Sequence, residues 1–470
     1  MAFCNPLFRH SLHRAGWRIF TASLTIGLAM LLAVQPSLAQ SINIIRDTEI
    51  ERWLYKHERP LLKAAGMDPD SVHIHIVQDP SLNAFAAQSP IAGNSEDIFV
   101  NTGLFFHLKT PNEVIGVLAH ETGHIAGGDA LRSGVAMNKA GIPMLIGLAV
   151  GVAAMAAGAG EAGIGAMMLG QQAGMAQYLK FSVAQEGTAD QRGQKYLRAT
   201  KQSGMGMLDV FTRMANENAM SMYYNKEFIS DHPADRERVD MMRQIAEASP
   251  YANVKDSPEA MHEFRMIQAK LTGYLSDPDQ VLIRFPVSDT SDEALYARTI
   301  AYFRKPDLQK ALSEINTLIK RHPQNPYFWE VLGQINVEMS QPQKGIGPYQ
   351  KSVALMPDAP LLRIALAAAQ LATENPALAK PAIANLKIAL QQENDNAFGW
   401  YEAALAYSLE GNNAMADLAT AERYYTTGAM GPAARFATRA AHKLPQGTTD
   451  WQRANDIMSI ATREAKEQRR

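Results

Sequence analysis

The sequence predicts a mainly α-helical chain of the α+β class, in which a helical domain with a small β-sheet is followed by an α-solenoid of helical repeats. Three observations lead to this prediction. Apolar residues recur at helical spacing in much of the chain. Three short segments between residues 72 and 101, bounded by turn residues, are typical of strands. From about residue 292 onward, aromatic, glycine, alanine and proline positions return with a shared period.

Length and composition are those of a globular protein with more than one domain. The chain has 470 residues, which is too long for a single core of ordinary size, so two or three domains are expected. Hydrophobic residues make up 47% of it, which is enough for sizeable cores and argues against disorder. The formal net charge of −2 leaves no basic footprint for nucleic acid, so we expect no nucleic-acid partner.

The first 39 residues are typical of a secretory signal peptide. Arginines supply a positive start, residues 19–34 form an apolar run, and Ser37 and Ala39 are small residues at a cleavage site. The alternative is an uncleaved anchor helix, for which the apolar run is short. Cys4 is the only cysteine and would leave with the signal. A mature chain without thiols suits an oxidising compartment and contains no disulfide.

The mature chain is predicted to open with a helix and a strand. Residues 42–66 place apolar side chains at helical spacing, and residues 72–77 alternate with a period of two. His73 and His75 share one face of this strand. They are either metal ligands or, as the alternation with isoleucine favours, residues of a solvent-facing strand edge. Two further strands are predicted at residues 83–87 and 97–101, on either side of a turn.

The strongest chemical signal is the pattern His-Glu-x-x-His at residues 120–124. A helix is predicted here, because apolar residues recur at helical spacing and Thr110, a following proline and Glu113 form a capping-box start. Histidines four residues apart on a helix share one face, one turn from each other, which is the geometry that one zinc ion accepts. Glu121 lies between them and is placed to deprotonate a water on that metal.

A third metal ligand is predicted on a second helix. Glu186 and Asp190 are four residues apart, so both carboxylates face the same way. Glu186 would complete the zinc site, and Asp190 would accept the N–H of a ligating histidine. A solvated helix face is the alternative. Together, His-Glu-x-x-His and the later Glu-x-x-x-Asp resemble the motifs of the gluzincin metallopeptidases, in particular the family of the CAAX prenyl protease and the heat-shock protease HtpX.

This resemblance implies a zinc-dependent endopeptidase with one zinc ion per chain. His120, His124 and Glu186 would bind the metal, and Glu121 would carry the proton of the attacking water to the leaving amine. The resemblance also implies that the strand at Asn83 borders the substrate cleft, where an extended peptide can add as a further strand.

A segment rich in alanine and glycine separates the two predicted metal-binding helices. Residues 142–160 contain no charged residue, and residues 163–169 extend the apolar stretch. The length permits a membrane span, but alanine and glycine offer little apolar area. We interpret the segment as a helical hairpin that packs on the protein or contacts a membrane surface, with true insertion as the alternative.

A loop histidine and an arginine complete the predicted site. Pro233 disfavours helix at His232, which presents that imidazole from a loop. The stretch from His232 to Arg238 resembles the His-Pro and following arginine of the same family. His232 is either a fourth zinc ligand that silences the enzyme, a donor to the oxyanion in the transition state, or a surface residue that caps a helix. Arg238 either assists at the oxyanion or holds a carboxylate such as Asp190.

The boundary between two domains is predicted after a helix at residues 259–275. The stretch that follows is rich in proline and aspartate, which are common in turns and linkers. We therefore predict a metalloprotease domain at residues 40–285 and a repeat domain at residues 286–470.

The repeat domain carries the tetratricopeptide pattern, which is W-x-x-L-G, a later aromatic residue and a final proline. Four repeats and a terminal helix pair would fill residues 292–465. Such repeats stack into a curved surface that binds partner proteins. The alternative is an all-helical domain packed for stability alone. Residues at the pattern positions include Trp329, Leu332, Gly333, Tyr349, Pro357, Trp400, Ala404 and Tyr407.

The order of signal, zinc-protease domain and tetratricopeptide repeats resembles that of a periplasmic branch of this family. The resemblance implies a periplasmic endopeptidase that degrades misassembled outer-membrane proteins and aids their assembly. It also implies docking on the outer-membrane barrel-assembly machinery through the repeats. Two alternatives stay open: a chaperone or scaffold with a latent or structural zinc site, and a membrane-integrated protease.

Overall fold

The structure is a computed structural model of the chain. It describes residues 43–88, 96–129, 142–150, 160–220 and 236–467, together with the single residues 132, 139 and 152. The predicted signal peptide lies outside the described residues. The residues described from Ile44 onward belong to one compact unit. The division into two domains near residue 285 stays a prediction.

The described residues include a four-stranded mixed sheet near the start of the compact unit. Its order is β1-β2-β4-β3, with β2 and β4 parallel and the outer strands antiparallel to their neighbours. Three strands are predicted from the sequence, but β1 is too short to give a periodic signal. The strands are β1 (Ile44–Ile45), β2 (Val72–Val77), β3 (Ala84–Gln88) and β4 (Glu96–Asn101).

Strand β2 lies inside the sheet, so the expectation of a strand edge at His73 and His75 is wrong, although the side chain of His73 does face solvent. β2 pairs with β1 on one side and with β4 on the other, which places His73 opposite Asp97. The Nδ1 atom of His73 lies 3.2 Å from Oδ1 of Asp97, and Nε2 of His75 lies 3.0 Å from Oδ2. The two imidazoles therefore share one carboxylate.

Helix α1 (Thr48–Ala64) begins later than the predicted start at residue 42. Asp47 caps it, because its carboxylate accepts a hydrogen bond from the N–H of Ile50 at 3.0 Å. The residues just before the cap pair with β2 instead of continuing the helix. The predicted apolar stripe is buried, with Trp53 and Leu61 at its centre.

The predicted helix around the His-Glu-x-x-His pattern is confirmed as α3 (Pro111–Gly127). Thr110 caps it by accepting from the N–H of Glu113. The Glu113 carboxylate accepts from the N–H of Lys109 at 2.5 Å, so the reciprocal bond of the capping box forms one residue earlier than predicted. Helices near it in the chain are α2 (Thr102–His107), α4 (Gly160–Ala199), α5 (Met205–Met220) and α6 (Arg236–Glu247).

The segment rich in alanine and glycine is helical where the structure describes it, over residues 142–150 and the start of α4. A Cβ atom at Gly147 would lie 2.6 Å from the Cα of Gly170, so the two helices cross in backbone contact. Large apolar side chains of both are exposed, among them Leu145 at 65% and Leu169 at 68%. In the described part of the chain, no helix combines the length and apolarity that a membrane crossing requires.

Two helices lead to the repeats. Helix α7 (Pro258–Leu275) matches the predicted helix, but α8 (Pro278–Arg284) occupies the stretch predicted to be a boundary loop. The carboxylate of Asp277 accepts from the N–H groups of Asp279 and Gln280, and the proline that follows it suits a first helical position. The loop prediction is wrong here because aspartate and proline start helices as well as turns.

Ten α-helices are described between residues 292 and 467, with a short 3-10 helix (Pro376–Leu378) before the sixth, and they pack mainly on their neighbours in the chain. Trp329 and Trp400 each donate the indole N–H to a carbonyl six residues earlier, at 2.9 and 2.7 Å. The same local contact thus recurs in two units, as expected for a repeat. The helices are α9 (Asp292–Arg304), α10 (Leu308–Arg321), α11 (Pro326–Glu338), α12 (Pro342–Leu355), α13 (Pro360–Leu371), α14 (Ala379–Gln392), α15 (Ala397–Glu410), α16 (Asn413–Thr426), α17 (Met430–Lys443) and α18 (Thr449–Glu467).

Candidate metal centre

Helix α3 directs two histidines at one point. The Nε2 atoms of His120 and His124 lie 3.0 Å apart. Glu186 reaches the same point from α4, with one carboxylate oxygen 3.3 Å from each of these nitrogens. Among the residues that the structure describes, these three form the one group of His, Cys, Asp or Glu side chains whose ligand atoms all lie within 4.8 Å of one another.

Two glycines let α3 and α4 approach closely enough for this. A Cβ atom at Gly123, inside the motif, would lie 2.6 Å from the carbonyl oxygen of Ala189, and one at Gly193 would lie 3.0 Å from that of Ala119. A larger residue at either position would push the helices apart. The backbone contact is what allows the short side chain of Glu186 to reach both imidazoles.

Asp190 lies one turn after Glu186 and orients His120. Its Oδ1 is 3.0 Å from Nδ1 of His120. Arg238 of α6 binds the same carboxylate with Nε at 2.8 Å and Nη2 at 3.0 Å, and Nη2 also lies 3.2 Å from Glu186. Burial raises the pKa of Asp190, but His120 and Arg238 outweigh burial and lower that pKa below its ordinary value. Arg238 thus holds carboxylates, the second of the two roles considered for it.

Asp129 orients the other histidine, and the sequence analysis misses it. Its Oδ2 lies 3.0 Å from Nδ1 of His124. Gly128 ends α3 in the left-handed conformation, with φ of 63°, and this turn brings Asp129 back onto the last turn of the helix. The Gly-Gly-Asp sequence after the motif is the signal that could have found it.

The donor set fits a divalent cation. The Nδ1 atoms of His120 and His124 each lie 3.0 Å from a carboxylate oxygen of Asp190 or Asp129, which can only accept. With a metal bound, both rings would therefore carry their protons on Nδ1 and present the lone pairs of Nε2. Both lone pairs and the carboxylate of Glu186 meet at one point. Two imidazole nitrogens and a carboxylate oxygen are a common ligand set of protein-bound zinc.

The charge of the site also favours a cation. Four carboxylates and two guanidinium groups lie here, so two negative charges are in excess among the described residues when His124 is neutral, and one when it is protonated. Burial lowers the pKa of His124, but hydrogen bonds to Asp129 and Glu186 and the nearby negative charges raise it to about 10. The field that holds this proton would also attract a metal ion in its place. The charged groups counted are Glu121, Asp129, Glu186, Asp190, Arg192 and Arg238.

The centre is shielded from solvent. His120 and Glu121 have no exposed surface, and the side chain of His124 is 12% exposed. Phe211 of α5 covers His120, with 4.8 Å between the ring centroids. The guanidinium carbon of Arg238 lies 5.5 Å from the centroid of the same phenyl ring. The phenyl ring of Phe211 therefore shields part of the charged cluster from water.

The structure brings most of the predicted site residues together. The three metal ligands, Asp190 and Arg238 are in contact with one another, and Glu121 lies on the same helix as both histidines. His232 lies outside the described residues, so its two chemical roles stay predictions. The residues brought together are His120, Glu121, His124, Glu186, Asp190 and Arg238.

Fold and site together define a metalloprotease with a helical repeat region after its catalytic part. The comparison with protein families agrees, because the model of Peptidase family M48 matches residues 49–246. The matched range runs from α1 to α6 and contains every predicted ligand. Residues 49–246 thus match this peptidase family, which supports a metalloprotease.

Relatives that share the longer arrangement are distant in sequence. A beta-barrel assembly-enhancing protease of Yersinia pestis is 21% identical over 417 residues, which cover 87% of this chain and 83% of that protein. A candidate beta-barrel assembly-enhancing protease of Vibrio cholerae serotype O1 is 22% identical over 302 residues. That match covers 62% of this chain and 60% of the Vibrio protein, less than two thirds of its length.

Similarity to shorter proteins is confined to one part of the chain. The protease HtpX of Shewanella baltica is 35% identical over 108 residues, 23% of this chain and 36% of that protein. Among solved structures, YrrB, a TPR protein with an unusual peptide-binding site, is 17% identical and covers 38% of this chain and 91% of its own, with a TM-score of 0.31. A TM-score this low supports no argument about fold or function.

Proposed function

We propose that the protein is a zinc-dependent endopeptidase that binds one zinc ion per chain through His120, His124 and Glu186. The main support is the convergence of two imidazole nitrogens and a carboxylate within 4.8 Å, with a separate carboxylate behind each ring. Peptidase family M48 is zinc-dependent, which agrees with this ligand set. When bound, zinc supplies Lewis acidity, which lowers the pKa of water and polarises a peptide carbonyl.

The residues of the chain divide the remaining work. Glu121 takes the proton of the attacking water and passes it to the leaving amine, as a general base and then a general acid. Asp190 and Asp129 keep both imidazoles in the tautomer that presents Nε2. Arg238 neutralises part of the charge of Asp190 and Glu186, so the carboxylates can stay buried and ionised.

Replacing Glu121 by glutamine tests this proposal. We expect Glu121→Gln to retain zinc but to lose about 10²–10⁴-fold in cleavage rate, the usual contribution of a general acid–base group. Cleavage of unfolded casein and the zinc content per chain are the measurements. Glu259→Gln, at an exposed position on α7, is the control for loss of a carboxylate elsewhere. Full proteolysis by Glu121→Gln would require another base and would contradict the mechanism.

A second function, a chaperone or scaffold with a latent zinc site, is favoured by the burial of the centre. His120 and Glu121 have no exposed surface, so a peptide carbonyl reaches them only if the site opens. In this proposal His232 is the fourth ligand that keeps the site closed. In the first proposal it is instead the donor to the oxyanion.

Comparing the wild type with His232→Ala separates these functions. Faster casein cleavage or self-cleavage by the variant would identify His232 as an inhibitory ligand, and slower cleavage would identify it as the oxyanion donor. No cleavage by either chain, with zinc bound in both, would favour the scaffold. The full chain is used in each case, and zinc content is measured alongside activity.

We further propose that the substrates are misassembled outer-membrane proteins in the periplasm and that the repeats dock on the barrel-assembly machinery. The names of the Yersinia and Vibrio relatives support this, as do the signal-like residues 1–39. Strand β3 is an edge strand that packs beside α3, so it can offer main-chain groups to an extended peptide. A periplasmic chain that begins at Gln40 and crosslinks to assembly proteins is the expected result. A chain with an intact N-terminus in the cytoplasm would contradict the proposal.

The exposed aliphatic side chains near residues 142–152 support contact with a membrane surface. Leu145, Ile146 and Leu148 are each at least half exposed, and no charged residue lies among them. Carbonate extraction of membranes tests the mode of attachment. We expect the extraction to release the mature chain, and retention in the membrane would favour a membrane-integrated protease.

A further inference from the structure

We propose that Glu58 is a positioning residue of the metal centre, which acts as a neutral carboxylic acid and holds α3 in place through Thr122. The inference rests on the proposed function, because α3 carries the proposed base and two of the proposed ligands. Glu58 lies on α1, 64 residues before Thr122 in the chain. Glu58, Thr122 and Glu121 have no exposed surface.

The hydroxyl of Thr122 makes two short contacts, and a proton on Glu58 supplies each of them with its own hydrogen. Its Oγ1 lies 2.7 Å from Oε1 of Glu58 and 2.7 Å from the carbonyl oxygen of Leu118. A threonine hydroxyl has one hydrogen to donate, and a carbonyl oxygen can only accept. If Thr122 donates to Leu118, the hydrogen of the other contact must come from Glu58. With Glu58 protonated, each contact has a hydrogen of its own, whereas with Glu58 ionised the two acceptors would share the single hydroxyl hydrogen.

The surroundings of Glu58 favour the protonated form. Burial raises the pKa of its carboxyl to about 8, and the charge of Glu121 adds to this increase. A hydroxyl hydrogen that Thr122 donates to the ionised carboxylate would oppose the increase, whereas a proton that Glu58 donates to Thr122 would add to it. Helix α1 packs against α3, α4 and β2. Of the described residues on these elements, Glu121 of α3 is the charged group that acts on Glu58, and no cation offsets its burial.

The position of Thr122 explains how this contact serves the centre. His120 and His124 occupy one face of α3, and a residue two positions from each lies on the opposite face of the helix. The contact with Glu58 therefore supports the helix from behind the metal ligands. An ionised carboxylate at this place would add a negative charge near Glu121, the proposed base, so a neutral acid suits the site.

Replacing Glu58 by glutamine tests the protonation state through stability. Glutamine keeps the size and a donor for Thr122 but cannot ionise. Folding raises the pKa of Glu58 from 4.5 to about 8. The contribution of the protonated carboxyl to the free energy of unfolding is therefore complete below pH 4.5 and is lost as the pH rises to about 8. Between pH 5 and 7.5, the unfolding constant of the wild type should rise about tenfold per pH unit relative to that of Glu58→Gln, and the ratio should level off above pH 8. Urea denaturation at saturating zinc measures the two unfolding constants, with Glu259→Gln as the matched control.

Proteolytic activity gives a second readout. Glu58→Gln should keep the kcat/KM of the wild type at pH 7 and exceed it above pH 8, where Glu58 of the wild type ionises beside Glu121. Glu58→Ala and Thr122→Val should each lose about tenfold, because a buried hydrogen bond behind the ligands is removed. Rescue by glutamine but not by alanine separates a neutral hydrogen-bond donor from a required charge.

Two results would overturn the inference. One is a Glu58→Gln chain as inactive as Glu58→Ala, which would mean that the negative charge is needed. The other is a ratio of unfolding constants, wild type to Glu58→Gln, that does not change with pH. Denaturation requires no proteolysis, so absence of zinc and of cleavage in the wild type would defeat the proposed function, while the pH dependence would still decide whether Glu58 is neutral.

Discussion

The molecule contains two histidine pairs with carboxylates beside them, one on α3 and one on β2, and their geometries differ. On α3, His120 and His124 are four residues apart and their Nε2 atoms lie 3.0 Å from each other. On β2, His73 and His75 are two residues apart and both bind the carboxylate of Asp97. Within the described residues, the first pair belongs to a group of side chains that could hold a metal ion, and the second does not.

The two histidine pairs differ in the number of carboxylates that contact them, which is two for the α3 pair and one for the β2 pair. Asp190 and Asp129 hold the Nδ1 atoms of the α3 pair, so both rings present Nε2 to Glu186. Asp97 instead binds Nδ1 of one β2 ring and Nε2 of the other, so those two rings present different nitrogens. Two neighbouring histidines are therefore not sufficient, and a separate acceptor behind each ring is what makes their lone pairs converge.

The largest expected effect comes from removing one histidine of each pair. His120→Ala should abolish zinc binding and reduce proteolysis to background, because two ligands cannot hold the ion with the same geometry. His73→Ala should leave both properties unchanged. Zinc content per chain and casein cleavage are the measurements, with circular dichroism as the control for folding. Loss of zinc in His73→Ala would mean that the β2 pair takes part in metal binding.

Removing the metal should change stability next most strongly. A chelator should lower the free energy of unfolding by about 3–4 kcal/mol if zinc is present at roughly 100–1000 times its Kd. Thermal unfolding with and without chelator measures the difference, and Asp97→Asn should respond as the wild type does. A chelator response that persists in His120→Ala would place the stabilising ion elsewhere.

Removing a carboxylate that contacts an Nδ1 atom should weaken zinc binding less than removing a ligand. Asp190→Asn and Asp129→Asn should each weaken zinc binding about 10–100-fold, because the imidazole loses the acceptor that fixes its tautomer. Asp97→Asn is the matched control and should not change zinc affinity. Competition with a chromogenic chelator gives the affinities. Unchanged binding in both centre variants would show that convergence of the lone pairs does not depend on these carboxylates.

The smallest expected effect is the titration of His73. The hydrogen bond that His73 donates to Asp97 raises the pKa of His73 above 6.5, although partial burial opposes it. Stability from this contact is complete below pH 6.5 and is lost as the pH rises through the raised pKa, and it is small because the side chain is 50% exposed. Asp97→Asn should return the midpoint to its ordinary value in an NMR titration. A midpoint that stays raised would assign the shift to another group.

Local patterns in the sequence predict most of the elements that carry the centre. Thr110 and the proline after it predict the start of α3, and alternation predicts β2. The predictions are wrong where one local sequence pattern is compatible with two kinds of secondary structure, or where a strand depends on its pairing partner. Asp277 with the proline after it starts helix α8 instead of a loop, and the short β1 exists because β2 pairs with it. Pairing partners of this kind leave no periodic trace in the sequence.

The sequence by itself determined the ligand types and their helices, because a spacing of four residues on a helix fixes a shared face whatever surrounds it. Only the tertiary structure decided which carboxylate meets which imidazole and which arginine holds it. The Arg238–Asp190 and Glu58–Thr122 contacts join residues 48 and 64 positions apart. Such distances depend on how helices pack, and close packing at Gly123 is a property of two helices together, not of either sequence alone.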